Sequence, residues 1–152
     1  MFIMEKFNMD FGQLKVDQLG FVFKDIEKQA KVMEDIYGFS SFTFWPAVEI
    51  PTKYKGNETH LKAKAGFSQL GDTQVELIEW KEGDSPYKDF LEQGREGLHH
   101  IGIYVNDIDP YLSEFKKKGI AILFYGELGG GKFAYMDTEK TFGIIVELIQ
   151  RT

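Results

Sequence analysis

The chain has 152 residues, which is the size of one domain and lets roughly 70% of the unfolded surface be buried in a core. It contains no cysteine, so disulfides, thiolate metal sites and a cysteine nucleophile are excluded, and any metal must bind through nitrogen and oxygen. The net charge of −6, from 18 basic and 24 acidic residues, argues against nucleic acid and membrane partners and favours a small-molecule substrate.

The start of the chain is apolar only in places. Glu5, Lys6 and Asp10 interrupt it, so we predict no signal peptide there. No run reaches the roughly 20 apolar residues that a membrane span needs. Together with the lack of cysteine, this pattern favours a cytoplasmic protein.

The first half of the chain begins as an apolar strand and changes to a helical period at Asp25. We predict that Asp25 caps a helix over 26–37, because an aspartate side chain can accept hydrogen bonds from the first backbone N–H groups of a helix. Gly38 follows directly, where a residue of positive φ is expected. Three strands are predicted next: Ser41–Trp45, Leu61–Gln69 and Thr73–Trp80.

The second half repeats this order after a connector over 81–97, which contains a short helical stretch at Tyr87–Glu92. Asp107 is the predicted N-cap of a helix over 108–118, and Gly119 follows it. The last three predicted strands are Ala121–Tyr125, Lys132–Asp137 and Gly143–Gln150.

The two halves are internal repeats. Residues 16–27 align with residues 98–109, and residues 75–79 align with residues 146–150. Chance similarity between amphipathic segments is the alternative, but both ends of the two segments match in order. The sequence therefore predicts a single α+β domain over 1–152, built from two βαβββ modules at 16–80 and 98–150.

The repeat singles out four polar residues inside apolar strands. Gln18 is equivalent to His100 in the first strand of each module, and Glu76 is equivalent to Glu147 in the last. Glu147 lies in the nearly continuous apolar run 143–149, where a carboxylate costs several kcal/mol unless it is paired or binds a metal.

Strand alternation places Glu76 and Glu147 on the faces opposite to their apolar neighbours, so both carboxylates point into one shared concave surface. With one imidazole and one amide oxygen, they form a set of donors suited to one divalent ion, Zn²⁺, Co²⁺, Ni²⁺ or Mn²⁺. Each residue alone has a simpler explanation, as a solvated strand residue or a structural histidine. The symmetry of the four favours a metal site.

The chain resembles the vicinal-oxygen-chelate (glyoxalase/bleomycin resistance/dioxygenase) superfamily over about 16–150. The segments 71–79, 84–86, 90–91 and 96–101 stand in the order and spacing of the methylmalonyl-CoA epimerases in that superfamily. The resemblance implies two βαβββ modules around a shared metal-binding cleft, with Glu76, His100 and Glu147 as ligands. It also implies a homodimer, which is the commonest assembly of soluble oligomers.

Two positions depart from the epimerase pattern. Gln18 stands where epimerases usually carry a histidine ligand, although one type of glyoxalase I uses Gln, Glu, His and Glu in this order. His60 occupies the second position. At this place the epimerases share a segment that supplies an acid–base carboxylate. A histidine there could move a proton near neutral pH, or it could simply be an exposed turn residue.

The function implied by the resemblance is proton abstraction next to the carbonyl of an acyl-CoA or other thioester, with Glu147 as the base and His60 on the opposite face. Two alternatives remain open: a glyoxalase I-like lyase, and a metal-free protein that sequesters a ligand in an aromatic-lined cleft. The aromatic residues considered for such a cleft are Phe44, Trp45, Trp80 and Tyr135. Ring-cleaving dioxygenase chemistry is disfavoured, because Gln18 replaces one of the two histidines of its iron site.

Overall fold

The computed structural model describes residues 6–152, and its eight strands form one closed sheet in the order β1-β4-β3-β2-β6-β7-β8-β5. The strands are β1 (Gln18–Val22), β2 (Thr43–Tyr54), β3 (Asn57–Leu70), β4 (Thr73–Glu82), β5 (Gly97–Val105), β6 (Ile122–Leu128), β7 (Gly131–Met136) and β8 (Ile145–Gln150). The helices are α1 (Ile26–Tyr37), α2 (Pro86–Glu92), α3 (Asp109–Lys117) and α4 (Glu139–Phe142). Within 6–152, none of these helices has the length and apolar character to cross a membrane.

The pairing of the strands follows the internal repeat. In the first half β1 pairs parallel with β4, and in the second half β5 pairs parallel with β8. Antiparallel pairs β1–β5 and β2–β6 join the two halves and close the sheet within one chain. The predicted α+β class and the paired βαβββ arrangement are confirmed.

The ends of α1 are as predicted, whereas the start of α3 is not. The Asp25 carboxylate accepts the backbone N–H of Lys28, and Gly38 ends α1 at a φ of 72°. Asp107 does not cap α3: the N-cap position is Ile108, and the Asp107 carboxylate accepts the backbone N–H of Asp109 at 3.0 Å. The prediction was one residue early, because aspartate also forms such local turns outside a cap position.

The hairpin between β2 and β3 is longer than the sequence predicted. Residues 46–60, left between the predicted strands, extend both of them to a tight turn at Lys55 and Gly56, which have φ of 52° and 82°. Two consecutive residues of positive φ are typical of a type I′ hairpin turn. Pro46 lies at a register shift between Trp45 and Val48, where proline is tolerated.

Side-chain alternation in β4 and β8 separates the core from the concave face. Val75 and Leu77 of β4 are buried in the hydrophobic cluster that contains Ile26 and Ala30 of α1. Val146 and Leu148 of β8 are buried in a second cluster with Phe115 of α3. The alternate residues, Glu76 and Glu147, therefore point to the other face of the sheet, as predicted.

The connector helix α2 lies against the concave side of the sheet. Tyr87 and Phe90 of this helix are buried in a third cluster with Ile78 of β4, Phe124 of β6 and Tyr135 of β7. The connector is thus part of the packing around the concave face, where Tyr87 of its first turn contacts Tyr135 of β7.

Candidate metal centre

Glu76, His100 and Glu147 meet on the concave face of the sheet. One ligand atom from each lies within 4.8 Å of the other two. The Nε2 atom of His100 is 3.2 Å from the Glu147 Oε1 atom and 3.9 Å from the Glu76 Oε1 atom. His100 is completely buried, and the other two side chains expose only 9% and 17% of their surface. The structure therefore brings three of the four predicted ligands together in a site largely closed to water.

Gln18, the fourth predicted ligand, is buried and lines the same cleft as the two glutamates. Its amide nitrogen donates a hydrogen bond of 2.8 Å to the side-chain oxygen of Gln74. This bond fixes the orientation of the amide and leaves the Gln18 Oε1 atom as the one that can act as a ligand.

Two glycines make room for the ligands of the opposite half. In the antiparallel pair of β1 and β5, Gly20 faces His100 and Gly102 faces Gln18. A Cβ atom on Gly20 would fall inside the His100 ring, and one on Gly102 would lie 3.1 Å from the Gln18 Oε1 atom. The alignment of the two internal repeats pairs Gly20 with Gly102, but the sequence alone assigned no role to either glycine. Their position two residues after each first-strand ligand was the available signal.

Without a bound cation, the surroundings of the cluster favour the uncharged forms of its three ionisable side chains. Burial raises the pKa of Glu76, and the charge of Glu147 raises it further. Burial also raises the pKa of Glu147 and lowers the pKa of His100. Each shift favours the neutral form of its group, as expected for ionisable groups removed from water.

The donor set fits a divalent cation. Within 6–152, the Glu147 Oε1 atom is a buried polar atom without a hydrogen-bond partner. A buried acceptor of this kind costs free energy unless a proton or a cation satisfies it. One imidazole nitrogen and carboxylate oxygens are ligands that Zn²⁺ and similar ions bind, and their positive charge would offset the repulsion between the two carboxylates.

Buried polar side chains surround His100. Its Nδ1 atom is 2.9 Å from the Nδ1 atom of His99, and its Nε2 atom is 3.3 Å from the Tyr135 hydroxyl. That hydroxyl is also hydrogen-bonded to the hydroxyl of Tyr87. Burial raises the pKa of both tyrosines well above the ordinary value, so both keep their protons. Sequence reasoning gave His99 no role, although its position next to His100 was visible.

Glu76 and Glu147 of the cluster line a cleft of about 610 Å³ whose walls are mainly apolar. The cleft-lining aromatic and aliphatic side chains include Trp45, Val48, Ile50, Phe67, Ile78, Phe133, Tyr135 and Ile149. Of the four aromatic residues considered from the sequence, Trp45 and Tyr135 line the cleft, whereas Phe44 and Trp80 do not.

His60 lies apart from this cluster. Its side chain is 69% exposed, its Nδ1 atom is 3.4 Å from the Glu49 carboxylate, and it is not among the residues that line the cleft. An acid–base role for His60 stays a prediction, and its position does not support that role.

A family model described as the Glyoxalase/Bleomycin resistance protein/Dioxygenase superfamily matches residues 17–135. The chain belongs to this superfamily. The chain is 27% identical to the uncharacterized protein YqjC of Bacillus subtilis over 139 residues, which cover 90% of this chain and 91% of that protein. The mitochondrial methylmalonyl-CoA epimerase of Bos taurus is 33% identical over 88 residues, or 55% of this chain and 50% of the enzyme.

The fold of the superfamily is also confirmed by solved structures. A methylmalonyl-CoA epimerase of Streptomyces coelicolor, solved in complex with 2-nitronate-propionyl-CoA, has a TM-score of 0.64 with 20% sequence identity. The match covers 91% of this chain and 95% of that enzyme. At this level of identity the likeness establishes the fold, which is the one that the sequence resemblance predicted.

Proposed function

We propose that this protein is a metal-dependent epimerase that removes and returns a proton on the carbon next to a thioester carbonyl. The observation that carries the proposal is the buried Glu76–His100–Glu147 cluster on the floor of an apolar cleft. The similarity to methylmalonyl-CoA epimerases, in sequence over 88 residues and in fold over most of the chain, supports the same reaction class.

Gln18, Glu76, His100 and Glu147 are the residues that would hold the ion. A divalent ion in such a site acts as a Lewis acid that polarises a carbonyl oxygen and makes the adjacent C–H bond more acidic. The protein's own side chains would remove the proton and bind the rest of the substrate.

Glu147 is the proposed base. Its Oε1 atom has no hydrogen-bond partner among residues 6–152, so no hydrogen bond to another side chain has to be broken before it takes a proton. A carboxylate that loosens from the ion would gain basicity close to the substrate. A carboxylate on the apolar floor is also close to the acyl part of a substrate that enters the cleft.

The walls of the cleft would bind the acyl group and exclude water. Trp45 is 63% exposed and lines the cleft, whereas Ile78 is buried deeper in it. Apolar walls strengthen the electrostatic interactions inside the site, because less water is present to screen them. This arrangement suits an acyl group with an apolar segment.

The test is metal analysis followed by measurement of proton exchange. We expect the purified protein to hold one divalent ion per chain and to catalyse deuterium entry from D₂O at the α-carbon of at least one acyl-CoA thioester. Chelation should stop the exchange, and return of the ion should restore it. Absence of exchange with every thioester in a broad panel would contradict the proposal.

A glyoxalase I-like reaction is the second candidate, and Gln18 favours it. The Gln, Glu, His, Glu order at positions 18, 76, 100 and 147 resembles that of one type of glyoxalase I. Isomerisation of a thiol hemithioacetal uses the same proton abstraction, so the panel should include hemithioacetals. If instead the metal-free protein binds an aromatic ligand tightly and exchanges no proton, a sequestering function should replace both proposals.

A further inference from the structure

His99 and His100 form a buried hydrogen bond whose direction decides how His100 meets a metal. The two Nδ1 atoms are 2.9 Å apart, and the side chains are respectively nearly and completely buried. A hydrogen bond between two imidazoles needs a donor on one ring and an acceptor on the other. If His100 donates from Nδ1, its Nε2 atom has the free lone pair that a metal needs. If His99 donates, the Nε2 atom of His100 carries a proton.

The ligand cluster selects between these two directions. The Nε2 atom of His100 is 3.2 Å from the Glu147 Oε1 atom and 3.9 Å from the Glu76 Oε1 atom, so Nε2 is the ring nitrogen that faces the proposed ion. A histidine binds a metal as neutral imidazole through a nitrogen without a proton, so the one N–H of His100 is on Nδ1. His100 is therefore the donor, and the Nδ1 atom of His99 is the acceptor.

The other side of His100 agrees with this assignment. The Tyr135 hydroxyl is 3.3 Å from the Nε2 atom of His100, and a phenol that keeps its proton can donate to a lone pair there. The same Nε2 atom faces the Glu147 Oε1 atom, and both side chains are among those that would hold the ion. The hydrogen bonds from Tyr135 to His100 and from His100 to His99 can therefore run in one direction.

Packing holds the His99 ring in this orientation. Its ring is perpendicular to the ring of Phe90, with 5.0 Å between the centroids, and its centroid is 5.4 Å from that of Tyr87. Both aromatic residues belong to α2. The connector helix thus supplies two of the surfaces that fix His99.

We propose that His99 is a positioning residue: it holds His100 in the Nδ1–H tautomer and so presents the Nε2 lone pair to the metal. The inference rests on the proposed metal site and deepens it, because it assigns a role to a residue that does not reach the ion. Residues that orient a metal-binding histidine in this way typically change metal affinity by about 10–100-fold when they are replaced.

The direct test is the tautomeric state of the histidines in the metal-free protein, measured by ¹⁵N NMR of the imidazole rings. The chain has only three histidines, and the exposed His60 serves as an internal reference for a ring in water. We expect the proton on Nδ1 in His100 and on Nε2 in His99. A His100 ring that carries its proton on Nε2 would overturn the proposal. This measurement uses the wild-type protein and no metal.

Two variants then test the effect on the metal. His99→Leu fills the space but offers no acceptor, so the affinity for Zn²⁺ or Co²⁺ should fall about 10–100-fold, and the Nδ1–H tautomer of His100 should no longer predominate. His99→Asn places an amide oxygen near the former Nδ1 atom, so it should restore the tautomer and most of the affinity. Equal losses in two folded variants would overturn the proposal, because a merely structural role would not distinguish them.

Failure of this inference and failure of the proposed function give different results. If the expected tautomers are found but no divalent ion binds, the assignment of His99 and His100 stands and the metal-dependent function fails. If an ion binds and the exchange reaction occurs with His100 in the other tautomer, the function stands and the role of His99 fails.

Discussion

The two halves of the sheet contribute differently to one site. The second half supplies His100, which is fully buried, together with the residues that surround it, His99 and Tyr135. The first half supplies Gln18 and the less buried Glu76. Its hairpin is also longer: β2 and β3 have 12 and 14 residues, against 7 and 6 in β6 and β7.

The extra length of the first hairpin forms part of the cleft wall. Trp45, Val48 and Ile50 of β2, with Ala63 and Phe67 of β3, all line the cleft. One copy of the duplicated module thus supplies the completely buried ligand, and the longer hairpin of the other copy adds wall to a cleft that both copies line. Changes in the second half should therefore affect the metal most, and changes in the first hairpin should affect substrate choice.

The largest expected effect compares the two equivalent first-strand ligands. His100→Ala removes the only nitrogen ligand, so it should lower metal affinity by more than the roughly 10–100-fold that loss of a supporting residue costs. Gln18→Ala removes a neutral amide oxygen and should have a smaller effect. Metal titration of both folded variants measures the difference. Equal losses would mean that the two halves hold the ion equally.

The second comparison uses the two glycines that face these ligands. Gly20→Ala places a Cβ atom inside the His100 ring, so we expect the free energy of unfolding to fall by about 1–3 kcal/mol, the usual cost of overpacking. Gly102→Ala brings a Cβ atom to 3.1 Å from Gln18, a contact that a small shift relieves, and it should cost less. Urea unfolding of both variants provides the measurement, and a Gly20→Ala protein as stable as the wild type would contradict the packing described here.

The repeat made the fold and three converging ligands predictable, because alternation in a strand fixes which side chains share a face. Glu76 and Glu147 could be placed together from their apolar neighbours alone. The hairpin over 46–60 could not be predicted, because Pro46 lies at a register shift that only the partner strand defines. His99 was missed for a similar reason: its contact with the His100 ring depends on packing against Tyr87 and Phe90 of α2, which only the folded chain brings near.

The metal-free protein should lose stability as the pH rises. The folded pKa values of Glu76 and Glu147 are raised by burial above those of the unfolded chain, so the folded state retains protons that the unfolded chain releases. The stabilisation is full below the unfolded pKa and is lost as pH rises through the folded pKa, so unfolding free energy should fall between about pH 5 and pH 8.

Two controls sharpen this pH test. Glu147→Gln removes one of the titrating groups and should flatten the slope. Saturation with the divalent ion should reverse the trend, because metal binding needs ionised carboxylates and strengthens as they lose protons. A metal-free protein whose stability rises over the same pH range would contradict the proposed cause.

The smallest effect is expected at His60. Its exposed position outside the cleft predicts that His60→Ala lowers proton exchange by much less than the roughly 100-fold or more that loss of a general acid or base costs. A loss of that size, with the metal still bound, would instead establish the acid–base role that the sequence suggested.

The central claim is that Glu147 takes a proton from the substrate on the metal-binding floor of the cleft. Glu147→Gln keeps the shape and one ligand oxygen but removes the basic carboxylate, and Glu82→Gln changes an exposed glutamate of β4 in the same way as a control. The decisive measurement is deuterium entry from D₂O into the α-carbon of the active thioester, with metal content determined in parallel. We predict a loss of about 10²–10⁴-fold for Glu147→Gln and none for Glu82→Gln. Exchange by metal-loaded Glu147→Gln at the wild-type rate would contradict the account.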